Sequence, residues 1–215
     1  MKLKRYTQFA IYCLIIVILV GLTVILPGCS QKETVVEPQI PDHYTTYTDE
    51  TELFSVSYPP EWEAALSLIG DIESATKEII SSIDSDLPLE AVSILFFSGK
   101  PVQEGYLPNM SVVVEPLLFG VLTNDGYVEA SINGLKLGFE DFRLVSRSKT
   151  IVDGRTAAIL DYEATILPIG KTHCKLLCLI VGRTGWTLTC AAPKEEYSVW
   201  EEDFNAIARS LRILK

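Results

Sequence analysis

Histidine is nearly missing from this chain: 215 residues contain two, His43 and His173. A zinc centre needs several ligands at matched spacing; His43 has no such neighbours, and His173 with Cys174 and Cys178 has no matching second ligand pair. His43 falls where a polar segment meets the first strand-like run, and His173 opens a later strand, so both read as exposed or edge-strand side chains. The Gly-x-Ser-x-Gly elbow of many hydrolases is absent. So is a phosphate-cradling glycine loop. No block of Lys and Arg interrupts a chain of net charge −10, so nucleic-acid binding finds no support. The acidic groups Asp49, Glu50 and Glu52, and Asp84, Asp86 and Glu90, lack the spacing of an EF-hand and read as solvated loops. With 28 acids present, a carboxylate pair for glycoside cleavage cannot be assigned from sequence. The expectation is therefore no enzyme, no catalytic residue, no cofactor and no metal ligand.

Cysteine is sparse too, with five in all. Beyond Cys29 there are three, Cys174, Cys178 and Cys190, each in an apolar β-like run. An odd, low count does not make a disulfide scaffold. Buried small hydrophobes are the first reading, a single Cys178–Cys190 bridge the second, and metal binding the least supported, since Cys174 and Cys178 have no matching second pair.

What the chain does have is one long hydrophobic run. Basic Lys2, Lys4 and Arg5 precede an apolar stretch from Phe9 to Leu26, followed by Pro27-Gly28-Cys29 and an abrupt polar turn at Ser30. That order is an export signal. Its ending resembles a bacterial lipoprotein signal, in which the cysteine thiol takes a lipid such as palmitate and becomes the new N-terminus. Leu26 and Gly28 fit the pattern; Pro27 stands where Ala, Ser or Thr is usual. The run also reaches the lower limit for spanning a bilayer, so an uncleaved anchor over 9–26 is the alternative. Both leave the basic end in the cytoplasm and the rest outside.

The first 29 residues hold three of the 18 basic residues and none of the 28 acidic ones, leaving 15 against 28 and a net −13 on the remaining 186 residues. That length suits one domain. Residues 30–42, with Pro38 and Pro41 and no periodicity, read as a flexible tether. The domain is expected over 43–215.

Within it, Tyr44–Thr48 is β-prone, and Leu53–Tyr58 alternates apolar and polar residues until Pro59-Pro60 stops it. A helix is expected over Asp71–Ile83, with Ile72, Ala75, Ile79 and Ile83 on one face. Ala91–Phe97 and Met110–Pro116 are strand-like. Thr123–Gly126 opens a second helix carrying Val128, Ile132, Leu135 and Phe139, although Gly134 and Gly138 weaken it. Asp153-Gly154 turns one hairpin and Gly182–Gly185 another. The strand Thr172–Val181 is apolar on both faces and so needs cover on both. Lys194–Leu211 is the clearest helix, with the stripe Tyr197, Trp200, Phe204, Ile207 and Leu211. Antiparallel runs interrupted by single helices give α+β: a central antiparallel β-sheet with helices on both faces, an α/β/α sandwich.

Three stretches resemble the PsbP family. They are Tyr47-Thr48 followed by Phe54–Pro59 and Trp62; Val152–Ala157 with Leu160 and Tyr162; and Phe204, Ile207 and Ser210-Leu211 on the closing helix. The resemblance spans residues 44–212 and implies an antiparallel sheet flanked by helices. It brings no catalytic residues. It includes extrinsic photosystem II subunits and bacterial lipoproteins of no assigned activity. The expected function is a non-catalytic protein-interaction module held outside the membrane, by lipid on Cys29 or by the 9–26 segment, with an envelope protein as partner. A carrier of a small apolar ligand is the alternative, with Ile94–Phe97 and Val112–Phe119 as candidate pocket walls.

Overall fold

The computed structural model describes residues 40–49, 53–64, 94–98, 108–117, 123–166 and 170–214. The 9–26 run, Cys29, most of the tether and the helix expected over Asp71–Ile83 lie outside them.

Among the described residues, seven strands form the larger sheet. In chain order they are β3 (Glu63–Ala64), β4 (Ile94–Ser98), β5 (Asn109–Pro116), β6 (Arg143–Val152), β7 (Arg155–Ile166), β8 (Gly170–Val181) and β9 (Thr184–Pro193). Their spatial order is β3-β4-β5-β9-β8-β7-β6, with every pairing antiparallel. The β6–β7 hairpin turns at Asp153-Gly154, both at positive φ (50° and 71°), the conformation whose twist matches the right-handed twist of the strands in a two-residue hairpin turn. The β8–β9 hairpin turns at Gly182-Arg183, with Gly182 at φ 63°.

A second sheet was not foreseen. β1 (Thr45–Thr48) and β2 (Phe54–Tyr58) pair as the sequence suggests, but β2's other edge is taken by β10 (Arg212–Ile213). Too short to carry a pattern, β10 is legible only from its partner. Its formation shortens the last helix: α2 runs Tyr197–Ser210, and Leu211 is already extended (φ −56°, ψ 129°). Ser210 seals the junction, its Oγ accepting the Ser57 N–H at 2.8 Å and donating to the Ile207 carbonyl at 2.7 Å. The helix also starts later than expected. β9 continues to Pro193 opposite Thr172, so Lys194–Glu196 are spent on a turn.

The other described helix, α1 (Asn124–Gly138), starts where its sequence predicts, and the Thr123 hydroxyl caps it by accepting the Gly126 N–H at 3.1 Å. Val128, Ile132 and Leu135 are buried on it.

Alternate residues of β7, β8 and β9 enter two separate cores. Ala157, Ile159, Leu177, Leu179, Trp186 and Leu188 join one cluster with Phe204 and Ile207 of α2 and Phe54 of β2. Ala158, Leu160, Leu176, Cys178 and Ala191 join another with Val128, Ile132 and Leu135 of α1. The two-faced apolar pattern of β8 is thus used on both sides. Phe204 is fully buried, whereas Trp200, placed on the same stripe, is only half-buried, edge-on to Trp62. The fold is α+β.

Candidate functional site

Charge interrupts the apolar alternation of β7 and β8 at one place. Asp161 and Lys175 stand directly opposite each other in the register, both on the α2 side of the sheet. Lys175 Nζ donates to Asp161 Oδ1 at 2.7 Å, and the Lys175 side chain is 5% exposed. Tyr197, the first residue of α2, donates its hydroxyl to the same oxygen at 2.9 Å. From β6, Ser146 Oγ donates to Oδ2 at 2.8 Å. Burial alone would raise the Asp161 carboxyl, but the bonds from Lys175, Ser146 and Tyr197 outweigh it and hold it below the usual carboxylate range.

His173 lies flat on Tyr197, ring centroids 3.6 Å apart and planes 8° from parallel. It is not on an edge strand: β8 runs between β7 and β9, and the side chain is 14% exposed. Its buried Nε2 has no hydrogen-bond partner and stands 4.0 Å from Asp161 Oδ1. Burial lowers its pKa and favours the neutral ring. Beside this cluster, Glu163 takes Arg143 at 2.6 Å and Lys194 at 2.8 Å. The bonds from these two cations hold its carboxyl down to about 2.

The chemistry available here is that of a closed polar network. Lys175 is bonded to a carboxylate and so is no nucleophile. Asp161 spends both oxygens on protein donors. Among the described residues, no group of three or more His, Cys, Asp or Glu side chains converges as a metal-ion site. Sequence reasoning missed this cluster, although a signal was there: Asp161 and Lys175 are charged residues inside strands otherwise apolar on both faces.

The cysteines settle differently. Cys174 and Cys178 enter the α1-side core and Cys190 the α2-side core. A Cys178–Cys190 bridge would have to pass through the sheet, and none of the three is disulfide-bonded. Burial pushes the Cys178 thiol up to about 12 and that of Cys190 higher still, so both stay protonated. His43 is exposed, edge-on to Tyr44. The carrier walls are only partly visible: Val112 and Val114 fill the α2-side core rather than line a cavity. Among the described residues, no helix is long and apolar enough to cross a membrane.

No family model matches the chain, and no curated protein does. Solved structures do. LpqN of Mycobacterium tuberculosis, involved in cell envelope biogenesis, aligns over 81% of this chain and 93% of its own, at 12% identity and TM-score 0.52. The cyanobacterial PsbP of Synechocystis aligns over 87% of this chain and 98% of its own, at 15% identity and TM-score 0.49. A Pseudomonas aeruginosa protein of unknown function covers 76% and 92%, at 13% identity and TM-score 0.49. The chain shares its fold with LpqN, and PsbP, the family its motifs resemble, is among the structures it matches.

Proposed function

We propose that this protein is a non-catalytic interaction module held at the outer face of the cell membrane, where it docks an envelope protein. The observation that carries the reading is the Asp161 cluster. It gathers Asp161, Lys175, His173 and Tyr197, and apart from His173 Nε2 its polar atoms are bonded to one another rather than presented to a substrate. An enzyme would be expected to offer a polar cleft with convergent, unspent groups.

The address comes from the sequence. Residues 1–29 act as a lipoprotein signal with Cys29 as the lipidated residue, or the 9–26 segment remains as an anchor. Residues 30–42 are the tether and 43–215 the domain, layered α/β/α with α1 and α2 on opposite faces. Confinement to a thin layer by a tether raises the effective concentration of the domain near membrane partners. LpqN takes part in cell envelope biogenesis in its own organism, and the present reading gives this chain the same compartment.

Crosslinking of the full chain in intact cells, with identification of captured proteins, tests the reading. The expected result is a specific envelope protein captured by the wild type, with lipid incorporation and signal removal both blocked in Cys29→Ser. A small molecule co-purifying with the chain, with no specific protein captured, would replace docking by carriage.

A further inference from the structure

A second acid, partly withdrawn from water, meets no cation among the described residues. Along β5, Met110, Val112 and Val114 point into the α2-side core. Glu115, one position on, is turned the other way and meets Tyr127 in the first turn of α1. The Tyr127 hydroxyl donates to Glu115 Oε1 at 2.5 Å. The ring is 1% exposed and lies flush on β9. A Cβ added at Gly185 would fall 2.7 to 2.8 Å from two of its ring carbons and its hydroxyl oxygen. Gly185 is also the cross-strand partner of Glu115. Strand, glycine and phenol form one unit that joins the start of α1 to the β5–β9 end of the sheet.

Among the described residues the titratable groups around it are few. Tyr127 comes from α1. Cys178 comes from β8 and stays a neutral thiol. Arg147 of β6, on the same side, is spent on Glu129 and Asp125 of α1. β9 offers Gly185, and the exposed Arg183 of the β8–β9 turn gives its backbone carbonyl to the Leu117 N–H. Residues 118–122, Leu-Phe-Gly-Val-Leu, contain no titratable side chain. Among the described residues no cation pairs with Glu115.

We propose that the Glu115–Tyr127 pair is a proton-operated latch: with Glu115 protonated, the first turn of α1 is locked to β5 and β9, and with Glu115 ionised that docking loosens. An ionised carboxylate held here would be a withdrawn charge with one hydrogen-bond donor, and such charges are costly. Exposure of the pair to water relieves the cost, and the element free to give way is the helix start. Burial raises the Glu115 carboxyl to about 7, against the opposing hydrogen bond from Tyr127, so the latch works near neutral pH. An extracytoplasmic domain meets such changes directly.

The sign follows from linkage. A carboxyl whose folded pKa is raised contributes stability that is present below its unfolded value and lost as pH rises through the folded value. Amide hydrogen exchange on the full chain in nonionic detergent micelles reads it locally. After correction for intrinsic base catalysis, protection of the Tyr127–Ala130 amides should fall by up to about tenfold per pH unit from about 4.5 to 7, then level off. In Glu115→Gln that slope should vanish while the Phe204–Ala208 amides of α2 are unchanged. Tyr127→Phe removes the hydrogen bond that favours the ionised form, so its midpoint should move to higher pH. A wild-type slope retained in Glu115→Gln overturns the latch. If Glu115→Gln does not fold, the Tyr127→Phe midpoint decides: a rise supports the latch, and an unchanged or lower midpoint overturns it.

Discussion

Asp161 and Glu115 are both drawn out of water on strands of the seven-stranded sheet, on opposite faces. Asp161 receives a lysine from the facing residue of β8, a tyrosine from α2 and a serine from β6, and is held ionised. Glu115 faces a glycine across the ladder, receives one phenol, and is pushed toward its neutral form. Withdrawal from water raises both carboxyls; at Asp161 the lysine across the ladder, with the serine and the tyrosine, overrides it, and at Glu115 a glycine across the ladder leaves it without a cation to oppose it. A lysine there makes a fixed ion pair, and a glycine there leaves a titrating acid.

The largest effect should come from removing one charge of the fixed pair. Asp161→Asn leaves Lys175 buried without its counter-ion and should cost about 3–5 kcal/mol, the range for a broken buried pair. Glu115→Gln, measured by urea unfolding at pH 8, should leave stability unchanged or raise it, because it removes an unpaired charge. Equal losses for the two variants would erase the distinction between the sites.

A smaller effect should come from the glycine that makes room for Tyr127. Gly185→Ala puts a methyl into the ring, and overpacking of this kind costs about 1–3 kcal/mol. Thermal unfolding at pH 5 measures it. A neutral result would mean that the ring is not pinned to β9. The smallest effect should be at the solvent-facing bridges of β6 to α1. Arg147→Ala breaks its pairs with Asp125 and Glu129, which are more than half exposed, and should cost under about 1 kcal/mol. A larger loss would show that these surface pairs hold α1 down and that the latch is not the main tie.

Much of the scaffold was legible because it rests on local rules. Asp153-Gly154 specifies its hairpin by conformational preference alone, Thr123 caps α1, and the two-faced apolar run of β8 matches the two cores that share it. What escaped depends on distant partners. The two residues of β10 have no pattern until β2 is beside them. His173 looks like an edge residue until Pro193 extends β9 alongside it. The Cys178–Cys190 bridge was open in sequence and is excluded only because the two thiols belong to different cores. For the polar cluster, Asp161 and Lys175 were visible as charges in apolar strands, but their pairing is a fact of register. Glu115 ended a strand-like run and looked like an ordinary boundary; its role depends on Tyr127 and Gly185 coming together around it.

Whole-molecule stability against pH mixes these sites. Asp161 and Glu163, with depressed values, add stability that is lost as pH falls through them. His173, also depressed, adds stability that is lost as pH falls below its unfolded value. Glu115 acts in the opposite sense over an overlapping window. Carbon-13 NMR titration of the Asp and Glu side-chain carboxyl carbons separates them at source. The account predicts that Glu115 ionises near pH 7, while Asp161 is still ionised at pH values where ordinary aspartates have taken up their proton. Ionisation of both in the ordinary carboxylate range, about 3.9 to 4.3, would contradict it.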